Sequence, residues 1–241
     1  MSDKYRELLE QYDIKVISTF RSRGTFQCET DQGLALLKEY HHSLHRLAME
    51  YEWKEKLALA GFSRTDRYFV SKDNSLVVYD RYHTPFVLKH YFSGRECDLG
   101  SASDVYAACR NLALLHKTSA GISEIPFENP HTESISRLFA RRNQELRTIR
   151  RYVSRVTKKK SFELLYLKYF DTFYAEAVHA ADTLLALGAE DALPACGVCH
   201  GAYQHHNILM LPDHSVATDG FESICYQPYL VDLYLFLRKT M

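Results

Sequence analysis

Neither sign of charge predominates in this chain. Thirty Lys and Arg stand against thirty Asp and Glu in 241 residues, and the sequence pI is about 7.2. A general nucleic-acid binder carries a basic excess, so no nucleic-acid partner is expected. No stretch reaches the roughly 18 apolar residues that a membrane span needs. The N-terminus, "MSDKYRELLEQYDIKV", lacks an apolar core of signal-peptide length. The chain is therefore expected to be made and kept in the cytoplasm. It has no internal repeat and no low-complexity tract. What it has is ordinary globular composition, 46% hydrophobic and 25% charged, and length for one large domain or two small lobes.

Six cysteines (28, 97, 109, 196, 199, 225) are scattered, most of them in apolar or strand-like settings. In a reducing compartment these read as buried thiols. Cys196-Gly-Val-Cys199-His200 matches the attachment signature for c-type haem. That maturation takes place outside the cytoplasm, and the pentapeptide sits in a strand-like run, so no haem is expected. Zinc needs a second pair of ligands. His205 and His206 are too near to close a knuckle and Cys225 is isolated, so no zinc is expected either.

The first third reads as strands around one helix. Residues 14–20, 25–30 and 34–40 are β-rich runs separated by Gly-containing turns, which is the grammar of an antiparallel meander. A helix follows, with Leu44, Leu47, Ala48, Tyr51, Glu55 and Ala58 on one face and Gly61 as its C-cap. Two or three more strands lie in 67–91, with Asp73-Asn74 as a turn. Polar "SGRECDLGS" reads as a linker over 93–102, dividing a small β lobe (1–92) from a mainly helical large lobe (103–241). The helix after the linker has Ser103 or Asp104 as N-cap candidates. Residues 132–157 are rich in Arg and Glu, with thin apolar periodicity. A long apolar helix covers 161–187, preceded by the basic run Lys158, Lys159, Lys160. Two short strands, around 196–199 and 207–211, flank a polar loop, and an apolar helix ends the chain. The class is α+β.

Several residues fit phosphoryl transfer, where negative charge must be cradled. Lys38, in the third strand, is placed to hold phosphates, and a carboxylate on the next helix would orient it: Glu55, with Glu50 as the alternative. Taken singly, Lys38 also reads as an exposed strand lysine, and Glu55 as a surface partner of its helical neighbours. The loop from His200 to Asn207 offers an amide for Mg²⁺ but no acid, and Asp219, twelve residues on, is the carboxylate placed like a metal ligand.

The run His-Gly-Asp-x-x-x-x-Asn, then a short strand and an Asp beside Phe, marks the aminoglycoside phosphotransferase and choline kinase branch of the protein-kinase-like fold. "CHGAYQHHNILM" resembles that pattern. More specifically, "RGTFQCETDQGLALLKEY", "FSGRECDLGSASDVYAACRNLALLHK" and "DLYLFLRK" resemble the CotS-type spore coat proteins of that branch, in order over nearly the whole chain. The resemblance implies a two-lobe fold, shortened at its C-terminus, with ATP and Mg²⁺ as cofactors. It puts the nucleotide-binding Lys at Lys38 and the metal-binding Asn at Asn207, beside His200 of the loop. The metal-binding Asp falls on Asp219 or, aligned on Phe221-Glu222, on Gly220. Asp232 resembles the acid that braces the catalytic loop. The catalytic acid falls on Ala202, which cannot accept a proton, and the spacing of His205 does not replace it. A degenerate, pseudokinase-like scaffold of the spore coat is the expectation, made in the cytoplasm and deposited among other coat proteins. Seventeen Tyr suit such assembly surfaces. The alternatives are an ATP/Mg-dependent phosphotransferase acting on a small hydroxylated molecule or sugar, and a generic α/β protein that merely echoes the motif.

Overall fold

Alternation builds the first sheet. The computed structural model describes residues 3–22, 25–125, 135–186 and 196–239. Strands β1 (Val16–Ser22), β2 (Thr25–Thr30) and β3 (Gly33–Glu39) form the expected meander. Phe26, Cys28, Ala35 and Leu37 point to one face and are buried there. They pack against Leu8 and Leu9 from a short helix, α1 (Asp3–Leu9), not expected from the sequence, and against Tyr12 just after it. Strands β4 (Val78–Tyr79) and β5 (Pro85–His90) complete a five-stranded antiparallel sheet in the order β1-β2-β3-β5-β4. Of the strand expected near 67–71, only isolated bridges form, Tyr68 with Lys89 and Ser71 with Tyr12. The β3–β5 register pairs Leu36 with Lys89 and Lys38 with Val87. Lys38 and Lys89 are therefore diagonal neighbours on the face opposite Ala35 and Leu37.

Helix α2 (Leu44–Leu59) starts at Ser43, whose hydroxyl accepts the Arg46 N–H at 3.2 Å. It ends in a Schellman motif. The Phe62 N–H reaches the Leu57 carbonyl, the Gly61 N–H reaches that of Ala58, and Phe62 and Leu57 share one core cluster. Ala60 is thus the cap and Gly61 the residue after it. The inner face differs from the expected one: Leu47, Glu50, Trp53, Lys54 and Leu57 are buried, while Leu44 is 58% exposed. Trp53 and Leu57 set the orientation, and a buried Glu50–Lys54 pair occupies positions that a hydrophobic pattern leaves to solvent.

Helix α3 (Ala102–Ala120) is capped by Ser101, one turn before Asp104. Ser103 does not cap it, and Asp104 instead takes a two-toothed contact from Arg95. Strands β6 (Arg95–Glu96), β8 (Ile208–Met210) and β9 (Val216–Thr218) form a small sheet, and β7 (Cys196–Cys199) pairs with β10 (Cys225–Pro228). Helix α6 (Leu230–Leu237) follows. Trp53, Leu57, Leu112, Leu115, Ile208, Phe221 and Phe236 meet in one core that joins α2, α3, β8 and α6.

By contact density the chain divides into Met1–Glu128 with Cys196–Met241, and Asn129–Ala195. The second unit is a helical hairpin. The Arg-rich stretch forms one 21-residue helix, α4 (Ile135–Arg155), beside α5 (Ser161–Ala186). Asn143 donates to the Ala177 carbonyl, and the Arg150 guanidinium pairs with Asp171 and lies over the Phe170 ring. No helix among the described residues is long and apolar enough to cross a membrane.

Candidate functional site

The loop between β7 and β8 is built around one buried acid. Asp232, in the first turn of α6, is fully buried. Its Oδ2 accepts the His200 N–H at 2.8 Å and is hydrogen bonded to His116 Nε2 at 3.0 Å, while Oδ1 accepts the Gly201 N–H at 2.9 Å. Gly201 adopts φ +76°, and a Cβ there would lie 1.9 Å from the Ser223 carbonyl oxygen, so only glycine fits. The His200 ring donates from Nε2 to the Asp219 carbonyl at 2.8 Å and accepts the Ala202 N–H at Nδ1. That pattern requires the neutral Nε2–H tautomer. Burial pushes the His200 pKa down in agreement, against the opposing charge of Asp232. Tyr203, fully buried, donates to the Ala108 carbonyl and accepts from Asn111, which also donates to Thr218. The loop is thus bolted to α3, β9 and α6.

Two further predicted residues meet here. The Asp219 N–H donates to the Asn207 carbonyl at 3.0 Å. The Asn207 side-chain amide donates to the Ala202 carbonyl at 2.9 Å. Gly220 adopts φ +76° with the Asn207 side chain 2.9 Å from where its Cβ would be. Among the described residues no hydrogen bond reaches the Asp219 carboxylate. Burial pushes its pKa up to about 7, and Asp66 and Glu222 add to the rise. A half-buried carboxylate without a donor among the described residues, close to Asp66 and Glu222 and beside an amide whose oxygen is unused by the loop, is chemistry that suits a divalent cation. Asn207 and Asp219 therefore fit the Mg²⁺ that the fold implies.

The lysine arrangement departs from expectation. Glu55 is engaged away from Lys38, with both its oxygens held by Arg67. Glu50 faces inward instead, where its Oε1 accepts from Lys54 at 2.8 Å and from Lys89 at 3.3 Å. Asp66, from the loop after α2, contacts Lys54 at 3.2 Å and Lys89 at 2.9 Å, and the Tyr68 ring lies under both ammonium groups. Burial lowers Lys54, with Asp66 opposing. For Lys89, burial is outweighed by Asp66 and Glu50, which hold it well above its usual value. Lys38, half-exposed, meets Glu222 at 3.1 Å, and the same Glu222 oxygen meets Lys89 at 3.0 Å. Sequence reasoning missed Lys89 and Asp66. Lys89 had a signal, a lone lysine inside the apolar run "FVLKH"; Asp66, in "SRTDRY", had none.

Leu36, Lys38, Tyr91, Ala202, Asp219 and Glu222 line one cleft of about 250 Å³. Small-molecule sites begin near ~300 Å³. At about 250 Å³ the cleft is smaller than that range, and it is lined both by Asn207 and Asp219 and by the Lys38–Glu222–Lys89 ion pairs. Ala202, whose methyl can neither accept nor donate a proton, lines this cleft with Asn207 and Asp219.

Among the described residues, the run from Cys196 to His200 does not present its side chains together. Cys196 is exposed and Cys199 buried, and both His200 nitrogens are already hydrogen bonded. The donor atoms of His116, Cys199 and Asp232 lie within 4.8 Å of one another, yet both Asp232 oxygens already serve the loop, and burial pushes the Cys199 thiol upward.

One consequence is measurable. Asp219 holds a proton in the folded chain up to about pH 7, whereas the unfolded carboxyl releases it near 3.8. This contribution to stability is full below pH 4 and is lost as pH rises through 7, at up to about 1.4 kcal/mol per pH unit. Asp219→Asn is expected to remove that slope in metal-free urea melts between pH 4.5 and 8. A slope equal to wild type would show that Asp219 is ionised throughout.

No protein-family profile matches the sequence, and no curated protein does. Solved structures do. An aminoglycoside phosphotransferase from Alicyclobacillus acidocaldarius superposes with a TM-score of 0.76 at 19% identity, over 98% of this chain and 70% of that one. An AMP-bound spectinomycin phosphotransferase gives 0.63 at 14%, over 97% and 73%. A choline kinase from Cryptosporidium parvum gives 0.58 at 11%, over 97% and 64%. At these identities the likeness shows the fold: protein-kinase-like, with an antiparallel sheet and a helical part.

Proposed function

We propose that this chain is a pseudokinase-like scaffold: a kinase-type frame retained for assembly, with phosphoryl transfer lost. One observation carries the reading. The loop is kept in full, from the Asp232 brace to the Asn207–Asp219 contact, around a position where Ala202 offers no group to take a proton. The lysine arrangement supports it, because the two ammonium groups that line the cleft, Lys38 and Lys89, are both paired with Glu222. The resemblance to CotS-type spore coat proteins supplies the setting: synthesis in the cytoplasm, then deposition among other coat proteins. On this reading residues 1–92 and 103–241 act as lobes about the linker 93–102.

The α4–α5 hairpin is the surface suited to assembly. Phe162, Leu165 and Phe173 are 73%, 56% and 70% exposed along an almost wholly apolar groove of about 240 Å³. Residues 135–186 carry eleven basic against five acidic side chains, so the complementary partner is an acidic, amphipathic segment of a coat protein.

The test is where the chain goes. In a sporulating host, a fluorescent fusion is expected to concentrate on the spore and to extract with the coat fraction. A fusion that stays diffuse through sporulation would remove the coat assignment.

A second reading has a specific observation behind it. Asn207 and Asp219 fit Mg²⁺, which a scaffold does not need. On that reading the chain is an ATP/Mg-dependent phosphotransferase for a small hydroxylated molecule or sugar. Asn207 and Asp219 would hold the metal, which would supply charge neutralisation, and Lys38 or Lys89 would bind phosphate.

A further inference from the structure

We infer that Lys38 and Lys89 form an anion seat closed from within by Glu222, and that the external ligand of this seat is a pair of linked phosphates. The inference rests on the scaffold reading and deepens it, by naming what keeps the cleft shut.

The geometry is that of a stand-in ligand. One Glu222 oxygen accepts from both ammonium groups, at 3.1 Å from Lys38 and 3.0 Å from Lys89. Two lysines from adjacent strands converging on a single oxygen is how a phosphate oxygen is held. The carboxylate is not there by side-chain accident, because its backbone is fixed at three points. Arg46 of α2 donates from Nε to the Glu222 carbonyl and from a terminal nitrogen to the Ile224 carbonyl at 3.1 Å. Ser223 is seated against Gly201, where any Cβ would collide with it. Gly220 turns the chain through φ +76°, directly against Asn207. The segment therefore delivers Glu222 into the cleft by construction. Burial would raise the Glu222 pKa, but Lys89 and Lys38 together hold it well below the usual carboxylate range. It is therefore held as the anion at neutral pH.

Removing Glu222 takes the formal charge around the cleft from one net negative to zero and leaves Lys38 without its acid. Around the cleft stand Lys38, Lys54 and Lys89 with Glu50, Asp66, Asp219 and Glu222. Lys54 and Lys89 keep Glu50 and Asp66 as partners, so loss of Glu222 frees Lys38 rather than stripping the buried network. An oligophosphate entering the wild-type seat must first displace a carboxylate already paired twice.

Titration of the full chain with sodium pyrophosphate and separately with ADP, both without divalent metal, tests this. Wild type, Glu222→Ala, Glu222→Gln and Glu222→Ala/Lys38→Ala are compared by calorimetry and by melting temperature. Both single variants are expected to bind pyrophosphate at least ten-fold more tightly than wild type, and the double variant is expected to lose the gain. Gln keeps the shape of Glu, so it decides the matter should the Ala variant melt too low to titrate. ADP binding that matches pyrophosphate assigns the ligand as the bare diphosphate. ADP binding that exceeds it assigns a nucleotide. Equal affinity in wild type and both single variants would overturn the inference, as would a gain that survives Lys38→Ala. Phosphoryl transfer is a separate readout. A silent wild type with no gain in the variants sinks the Glu222 closure alone, and a wild type that turns over ATP sinks the scaffold reading alone.

Discussion

Asp232→Ala is expected to destabilise the folded chain by about 3–5 kcal/mol, the range for removing one partner from a buried charged set. Asp232 is fully buried and satisfies two backbone N–H groups and the His116 ring. Alanine leaves the His200 and Gly201 amides without acceptors, at about 1–3 kcal/mol for each buried unsatisfied group. Water cannot readily replace them, since His200 itself is 1% exposed. For a chain of this size the melting temperature should fall by about 10 °C, taking 2–4 °C per kcal/mol. Asp232→Asn should cost less, because one oxygen still accepts while the amide nitrogen meets a donor. Thermal melts by circular dichroism measure the loss. Hydrogen exchange at His200 and Gly201 locates it, and both amides should exchange faster. A loss below about 1 kcal/mol would mean that the loop is held by Tyr203 and its bonds to α3.

The effect is large because the loop is a structural element whatever its chemistry. Asp232, His200, Gly201 and Tyr203 interlock with α3 and α6 regardless of what stands at position 202. Ala202 contributes backbone: its N–H goes to His200 and its carbonyl takes the Asn207 amide. The hydrogen bonds of the loop therefore do not depend on the side chain at position 202.

Where local chemistry decides structure, the sequence was legible. The meander followed from turn residues and alternation, and the diagonal of Lys38 and Lys89 follows from its register. Helix α1 was missed because it is only seven residues long and stands by packing Leu8 and Leu9 on the sheet, a tertiary contact. The inner face of α2 was misread because Glu50 and Lys54 are buried as a pair. Periodicity counts such residues as solvent-facing, whereas the cost of burying each is offset by the other and by Asp66. For the same reason Glu55 looked inward and is in fact bound to Arg67. The N-cap of α3 moved to Ser101 because Asp104 is drawn to Arg95.

In the site the division is similar. Lys38 was nameable from its place in the third strand, His200, Asn207 and Asp219 from the loop and its spacing, and Ala202 and Asp232 through the family resemblance; the structure brings His200, Ala202, Asn207, Asp219 and Asp232 into one bonded set. The state of the lysines was not legible. It depends on Glu222 reaching Lys38 across 184 residues and Lys89 across 133, and no local spacing encodes that.

The central claim is that the frame has kept its form and lost transfer. General acid–base help is worth about 10²–10⁴-fold, and positioning and charge stabilisation supply the rest. Here the acid is missing, and the positioning lysines are occupied by Glu222. Either loss alone leaves residual transfer, while both together should leave none above background. The direct measurement is ³¹P NMR of Mg-ATP with the wild-type chain, run for a day beside Asp219→Asn and a protein-free control, with and without a panel of aminoglycosides, choline and simple sugars. The account predicts ADP at the protein-free rate in every wild-type sample. ADP formed faster than in the control, and returned to background by Asp219→Asn, would contradict it and establish the chain as an enzyme.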